Sequence, residues 1–81
     1  MSEFRFPAYR KLSNNKSFYR IDDDRTFFEI QVIGNKCLLT QTKATQYPEI
    51  LRVVDMLKLE SPFEESTIDE FHHYYTKSIG K

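Results

Sequence analysis

A chain of 81 residues in which twelve Lys and Arg balance twelve Asp and Glu is one small domain's length. Its zero formal charge removes whole-molecule attraction to nucleic acid or to an anionic membrane. Apolar residues make up 40 %, with seven Phe and five Tyr, so the chain should fold rather than stay disordered. The lone Cys37 excludes an intramolecular disulfide and any multi-thiolate metal site, and it fits a reducing cytoplasm.

The opening Met-Ser-Glu-Phe-Arg-Phe-Pro has no apolar segment of signal-peptide type, and no run approaches the ~18 apolar residues of a bilayer span, so neither export nor membrane insertion is expected. Residues 1–81 read as a single domain, strand-rich over 7–43 and helical over 47–77. The division is electrical too: residues 1–43 hold eight basic and five acidic groups, and 44–81 hold four and seven.

In the first half, Tyr9 to Ser13 and Lys16 to Ile21 flank Asn14-Asn15 and read as a hairpin, with Asn tolerating the left-handed backbone of a type I′ turn. Pairing Leu12 with Ser17 puts Leu12, Tyr19 and Ile21 on one side and Tyr9, Lys11, Phe18 and Arg20 on the other. Asp22-Asp23-Asp24 then reads as a solvated turn, because a calcium loop needs alternating oxygen ligands and a glycine at its sharp bend. A second hairpin follows: Thr26 to Ile33, the loop Gly34-Asn35, and Lys36 to Lys43. A type II′ turn with Gly34 at its positive-φ position sets Val32 opposite Cys37, Ile30 opposite Leu39 and Phe28 opposite Gln41, which sends Cys37 and Leu39 to the core.

The second half changes to helical period. Pro48 at the first helical position opens a helix over Glu49 to Leu59, with Ile50, Val53, Val54 and Leu57 on its inner stripe and Leu51 and Met56 widening it. Phe63 to Ser66 reads as a short edge strand. Thr67 and Glu70 form a capping box for a helix to about Lys77 that buries Ile68, Phe71 and Tyr75. The expected architecture is an α+β domain: an antiparallel sheet of two consecutive hairpins, about four strands, packed on one face by the two C-terminal helices, with the other face wet.

The run from Tyr9 to Ile21, the segment Phe28-Glu29-Ile30-Gln31-Val32-Ile33-Gly34 and the closing Ile68-Asp69-Glu70-Phe71 together resemble a group of short uncharacterised bacterial proteins. The likeness spans most of residues 9 to 75 and lies in strand, turn and cap patterns. It implies a self-standing bacterial domain and transfers no activity.

Chemistry is sparse. Neighbouring His72 and His73 point about 100° apart on a helix and cannot share an ion, and Asp69 with His73 makes only half a metal site. Cys37, placed in the core, lacks the base a nucleophile needs. No phosphate-cradling glycine loop and no hydrolase or metalloprotease motif is present, so the chain is expected to be no enzyme, with no catalytic residue, metal or cofactor. What remains is the alternation of ring and cation at Tyr9, Lys11, Phe18 and Arg20, expected to be the binding face, with Phe4, Phe6 and Phe27 as further anchors. The expected function is a small non-catalytic protein-binding or regulatory module that recognises another protein or its own copy. Stacked rings among cations also suit single-stranded nucleic acid, the alternative.

Overall fold

The computed structural model describes residues 5–80, and the side chains of residues 5–78. In chain order the elements are β1 (Ala8–Leu12), β2 (Ser17–Ile21), β3 (Thr26–Ile33), β4 (Lys36–Lys43), α1 (Tyr47–Leu57), β5 (Phe63–Glu65), α2 (Ile68–Lys77) and β6 (Ser78–Gly80). They build one sheet in the order β5-β1-β2-β3-β4-β6. All neighbours are antiparallel except β6, a short parallel addition to β4 that periodicity did not announce.

Both expected hairpin registers form: Lys11 faces Phe18 and Tyr9 faces Arg20 in the first, while Val32 faces Cys37 and Ile30 faces Leu39 in the second. Gly34, at φ 61°, supplies the positive-φ residue of its loop. The Asn turn differs from type I′, since only Asn15 takes positive φ. Its N–H donates to the Leu12 carbonyl at 2.9 Å, closing a turn one residue early that the left-handed Asn15 then completes.

The α+β class and the order of strands before helices stand as expected, but the two helices do not share a face. The register between the hairpins decides this. It sets Phe18 beside Ile30 and Arg20 beside Phe28, and Ile21 beside Phe27. One face therefore carries Phe18, Phe28, Ile30, Cys37 and Leu39, and the other carries Ala8, Tyr19, Ile21 and Phe27. Each is apolar and each must be covered. Helix α1 covers the second with Ile50, Val53, Met56 and Leu57, and α2 covers the first with Phe71 and Tyr74. The sheet is thus the middle layer of three, and no whole face is left wet.

Local signals explain where the helices start and stop. The Glu49 carboxylate accepts from the Thr45 and Gln46 N–H groups at 3.2 and 3.3 Å, so α1 begins at Tyr47, two residues before Glu49, with Pro48 still in its first turn. It ends at Leu57: Glu60 N–H returns to the Asp55 carbonyl and Leu59 N–H to that of Met56, a Schellman closure whose left-handed position holds Leu59 at φ 60°. A β-carbon is unfavourable there and the Leu59 side chain is exposed. Leu59→Gly is therefore expected to raise stability by roughly 0.5–1 kcal/mol, seen as a higher urea midpoint at unchanged slope.

At α2, Thr67 accepts from Glu70 N–H at 3.1 Å, half of the expected box. The Glu70 carboxylate turns instead to the Ser66 hydroxyl at 2.5 Å and Lys11 Nζ at 3.5 Å. The helix is rotated from its expected setting, with Phe71 as its buried anchor. Phe71 is buried and Tyr74 packs on the sheet, whereas Ile68 and Tyr75, expected inside, are 62 % and 44 % exposed.

Candidate interaction surface

Tyr9, Lys11, Phe18 and Arg20 do fall together on one sheet face, but that face is the seat of α2. Phe18 is only 1 % exposed, its ring stacked on Tyr74 at 4.3 Å. Tyr9 meets Phe71 edge-on at 5.8 Å, and Lys11 is paired with Glu70. Arg20 is held over Phe28, 4.8 Å from the ring centre, and against Asp22 at 2.9 Å. The expectation of a free binding face is corrected accordingly: three of these side chains dock α2, and Arg20 is fixed at its rim. Among the further rings, Phe27 is core, Phe6 is at the surface, and Phe4 lies outside the described residues.

The other motifs find local roles. Asp23 Oδ1 accepts from Arg25 N–H at 2.8 Å within the turn between β2 and β3. His72 and His73 are both exposed, with His73 edge-on to Tyr74 and His72 stacked on Tyr75. Cys37 is buried in the cluster of Phe18, Ile30 and Phe71. Among the described residues no three of His, Cys, Asp and Glu converge as a metal site would need, and no helix is long and apolar enough to cross a membrane.

On the α1 face a polar cluster marks where the helix's cover ends. The Tyr19 hydroxyl donates to Glu29 Oε2 at 3.2 Å and accepts from Arg52 Nη2 at 3.1 Å. Arg52 Nη2 lies 3.8 Å from Glu29 Oε1, and its guanidinium covers the Tyr19 and Phe27 rings. Arg52 stays partly in water, its side chain 46 % exposed, while its guanidinium lies over the sheet. Burial, reinforced by the Glu29 charge and opposed by Arg52, pushes the Tyr19 phenol above its ordinary value of 10.0. A raised folded pKa means a contribution present below pH 10 and lost as pH climbs through the folded value. Unfolding monitored from neutral to strongly alkaline pH should show stability falling above about pH 10, less steeply in Tyr19→Phe.

Beyond that cluster α1 no longer reaches. The β3–β4 register places Ile33 beside Lys36, Gln31 beside Leu38 and Glu29 beside Thr40 on this face. Ile33 is 60 % and Leu38 45 % exposed, with Gln31 and Thr40 exposed around them. The strands run on past the cover because β3 and β4 are eight residues long while β1 and β2 are five. The hairpin's alternation puts Glu29, Gln31, Leu38, Thr40 and Thr42 on one side, and the observed register adds Ile33 and Lys36 to it. That they stay open depends on where α1 lands.

Comparison with family models, with curated proteins and with solved structures gave no match.

Proposed function

We propose that the chain is a small non-catalytic protein-binding module of the reducing cytoplasm, and that its contact surface is the uncovered end of the α1 face around Ile33 and Leu38. The observation that carries this reading is the pair itself. Two large aliphatic side chains lie diagonally adjacent on paired strands beyond the reach of α1, with Gln31 and Thr40 next to Leu38 and Lys36 opposite Ile33. Interface centres have this composition, apolar with charge kept to the rim. The exposed Ile68 and Tyr75 make a poorer surface, because Tyr75 is already stacked on Phe71 and His72.

Nucleic-acid binding loses its main support, since the rings it would use as stacking platforms pack against α2 and Lys11 and Arg20 are paired with carboxylates. The test compares the parent with Ile33→Ser/Leu38→Ser, two exposed changes that leave the core alone, for binding to a purified protein partner by calorimetry. The reading expects at least a tenfold loss of affinity with an unchanged circular dichroism spectrum, on the usual scale of anchor truncations. Equal binding by a folded double variant overturns it.

A further inference from the structure

We propose that the partner meeting this surface is an acidic protein segment, one whose carboxylates flank an apolar side chain, and that Lys16, Lys36 and Lys77 recognise it around the exposed Ile33. This names the chemistry of the partner for the surface assigned above and so rests on that reading.

The topology gathers these cations. Residues 10–21, 30–48 and 71–81 contain no Asp or Glu, and strand pairing brings one end of each stretch together. Ser17 faces Gln31, and the Val32 N–H donates to the Lys16 carbonyl at 2.9 Å, so Lys16 stands at the loop end of β3. Ile33 faces Lys36 across the Gly34-Asn35 loop. Ser78 pairs with Cys37, which leaves Lys77, the last residue of α2, at the same end as Lys36. All three lysines are exposed. The ion pairs among the described residues use Lys11, Arg20 and Arg52, and none engages these three. Glu29, four residues in from Ile33, is held by Tyr19 and Arg52. Glu60 and Glu64 belong to the β5 edge, which β1, β2 and β3 separate from β4, and Asp22, Asp23 and Asp24 lie at the opposite end, between β2 and β3. A molecule of zero formal charge is thus positive at one end, and that end selects its partner by sign.

Ile33, 60 % exposed, decides the class of partner. It lies opposite Lys36, so an aliphatic side chain and a cation are offered side by side. The matching surface is an apolar side chain with carboxylates at its rim. A phosphate backbone would use the lysines and give Ile33 nothing apolar to touch, and Phe18 and Tyr74 are stacked on each other rather than open to bases. An anionic bilayer would first meet the loop residues Asn14, Asn15, Gly34 and Asn35, which have no apolar side chain to insert.

The test is fluorescence anisotropy of a labelled peptide, Glu-Glu-Leu-Glu-Glu-Leu-Glu, titrated with the full chain. The same peptide with Lys for Glu, an oligothymidylate and phosphatidylserine vesicles serve as rival probes. At low salt the acidic peptide is expected to bind with a dissociation constant below about 1 mM, and to weaken as salt is added. Lys36→Glu should weaken it at least about tenfold, and Lys16→Glu or Lys77→Glu about threefold or more. Lys43→Glu, the same charge change at an exposed residue of the opposite end, should leave it within about twofold. Ile33→Ser should weaken binding without changing its salt dependence. All these side chains are exposed, so melting temperatures should match the parent; if Lys36→Glu fails to fold, Lys36→Gln gives the same reading at smaller amplitude. The proposal is overturned by an acidic peptide that does not bind at low salt, by one indifferent to Ile33→Ser, or by equal losses from Lys36→Glu and Lys43→Glu. Tighter binding of the lysine peptide, the oligothymidylate or the vesicles overturns it as well. The comparison of Ile33→Ser/Leu38→Ser against a purified partner judges the surface itself. A partner that loses affinity with that double change and ignores Lys36→Glu upholds the surface and overturns the acidic partner, so the two failures are distinguishable.

Discussion

Phe18→Ala is expected to lower the unfolding free energy by about 3–5 kcal/mol, the range for truncating a fully buried ring. The ring is closed off by Tyr74 stacked at 4.3 Å and shares its cluster with Ile30, Cys37 and Phe71. A chain of this length has only about 4–12 kcal/mol in all, at roughly 0.05–0.15 kcal/mol per residue. The variant should therefore give up about a quarter or more of the total, as read by urea denaturation followed by circular dichroism. Reading the four residues as a wet face would have Phe18→Ser/Arg20→Ser leave the fold intact. The packing of α2 requires the opposite, with most of the loss attributable to Phe18. Arg20→Ser alone should cost about 1 kcal/mol or less, because it gives up a partly exposed pairing with Asp22 and a cation–π contact with Phe28. A Phe18→Ala variant within 1 kcal/mol of the parent would mean that α2 does not dock over β2.

The second large effect is expected at Arg10. Its side chain lies on the α1 face of β1, where Nε donates to the Met56 carbonyl at 2.8 Å, Nη2 to that of Leu57 at 3.2 Å and Nη1 to that of Tyr9 at 2.8 Å. Met56 and Leu57 end α1, whose last turn has no basic residue of its own. A cation from the sheet therefore meets the negative end of the helix, joining the Leu59 N–H at the Met56 carbonyl and reaching the Leu57 carbonyl beyond it. Burial lowers the Arg10 pKa and the facing Glu65 raises it again. Arg10→Ala should cost about 2–3 kcal/mol, since charged hydrogen bonds to semi-buried carbonyls are lost together. Arg10→Lys should recover less than half of that, because one ammonium cannot reproduce a planar fork aimed at several oxygens. Denaturation midpoints measure the cost. Hydrogen exchange would show the loss concentrated in the last turn of α1, and uniform exchange along the helix would argue against the cap.

Sequence-local features of the chain were legible because they are settled by a few adjacent residues. The Gly34-Asn35 loop set the register of β3 and β4, and with it the burial of Cys37, since a two-residue loop leaves one pairing. Asn14-Asn15 located the first hairpin although the turn closes differently, because the left-handed position it needs falls on Asn15. Pro48 and Thr67 marked both helix starts to within two residues. The alternation along β3 and β4 likewise put Gln31, Leu38 and Thr40 on one side, without naming Ile33.

The side of the sheet on which these local units meet was decided only in three dimensions. Periodicity within one hairpin separates two sides but does not say which side of the next hairpin continues either of them. The pairing of Phe18 with Ile30 across β2 and β3 made both faces apolar, so one helix had to go to each, and the ring-and-cation face became a docking seat. The packing of Phe71 and Tyr74 on that seat gave α2 its rotation, with Glu70 held by Ser66 and Lys11. The reach of α1, bounded by Tyr19, Glu29 and Arg52, left Ile33 and Leu38 in water. Apart from the Glu70–Ser66 bond, these outcomes depend on contacts between residues ten or more positions apart, whose free energy is fixed by burial and charge in the assembled layers.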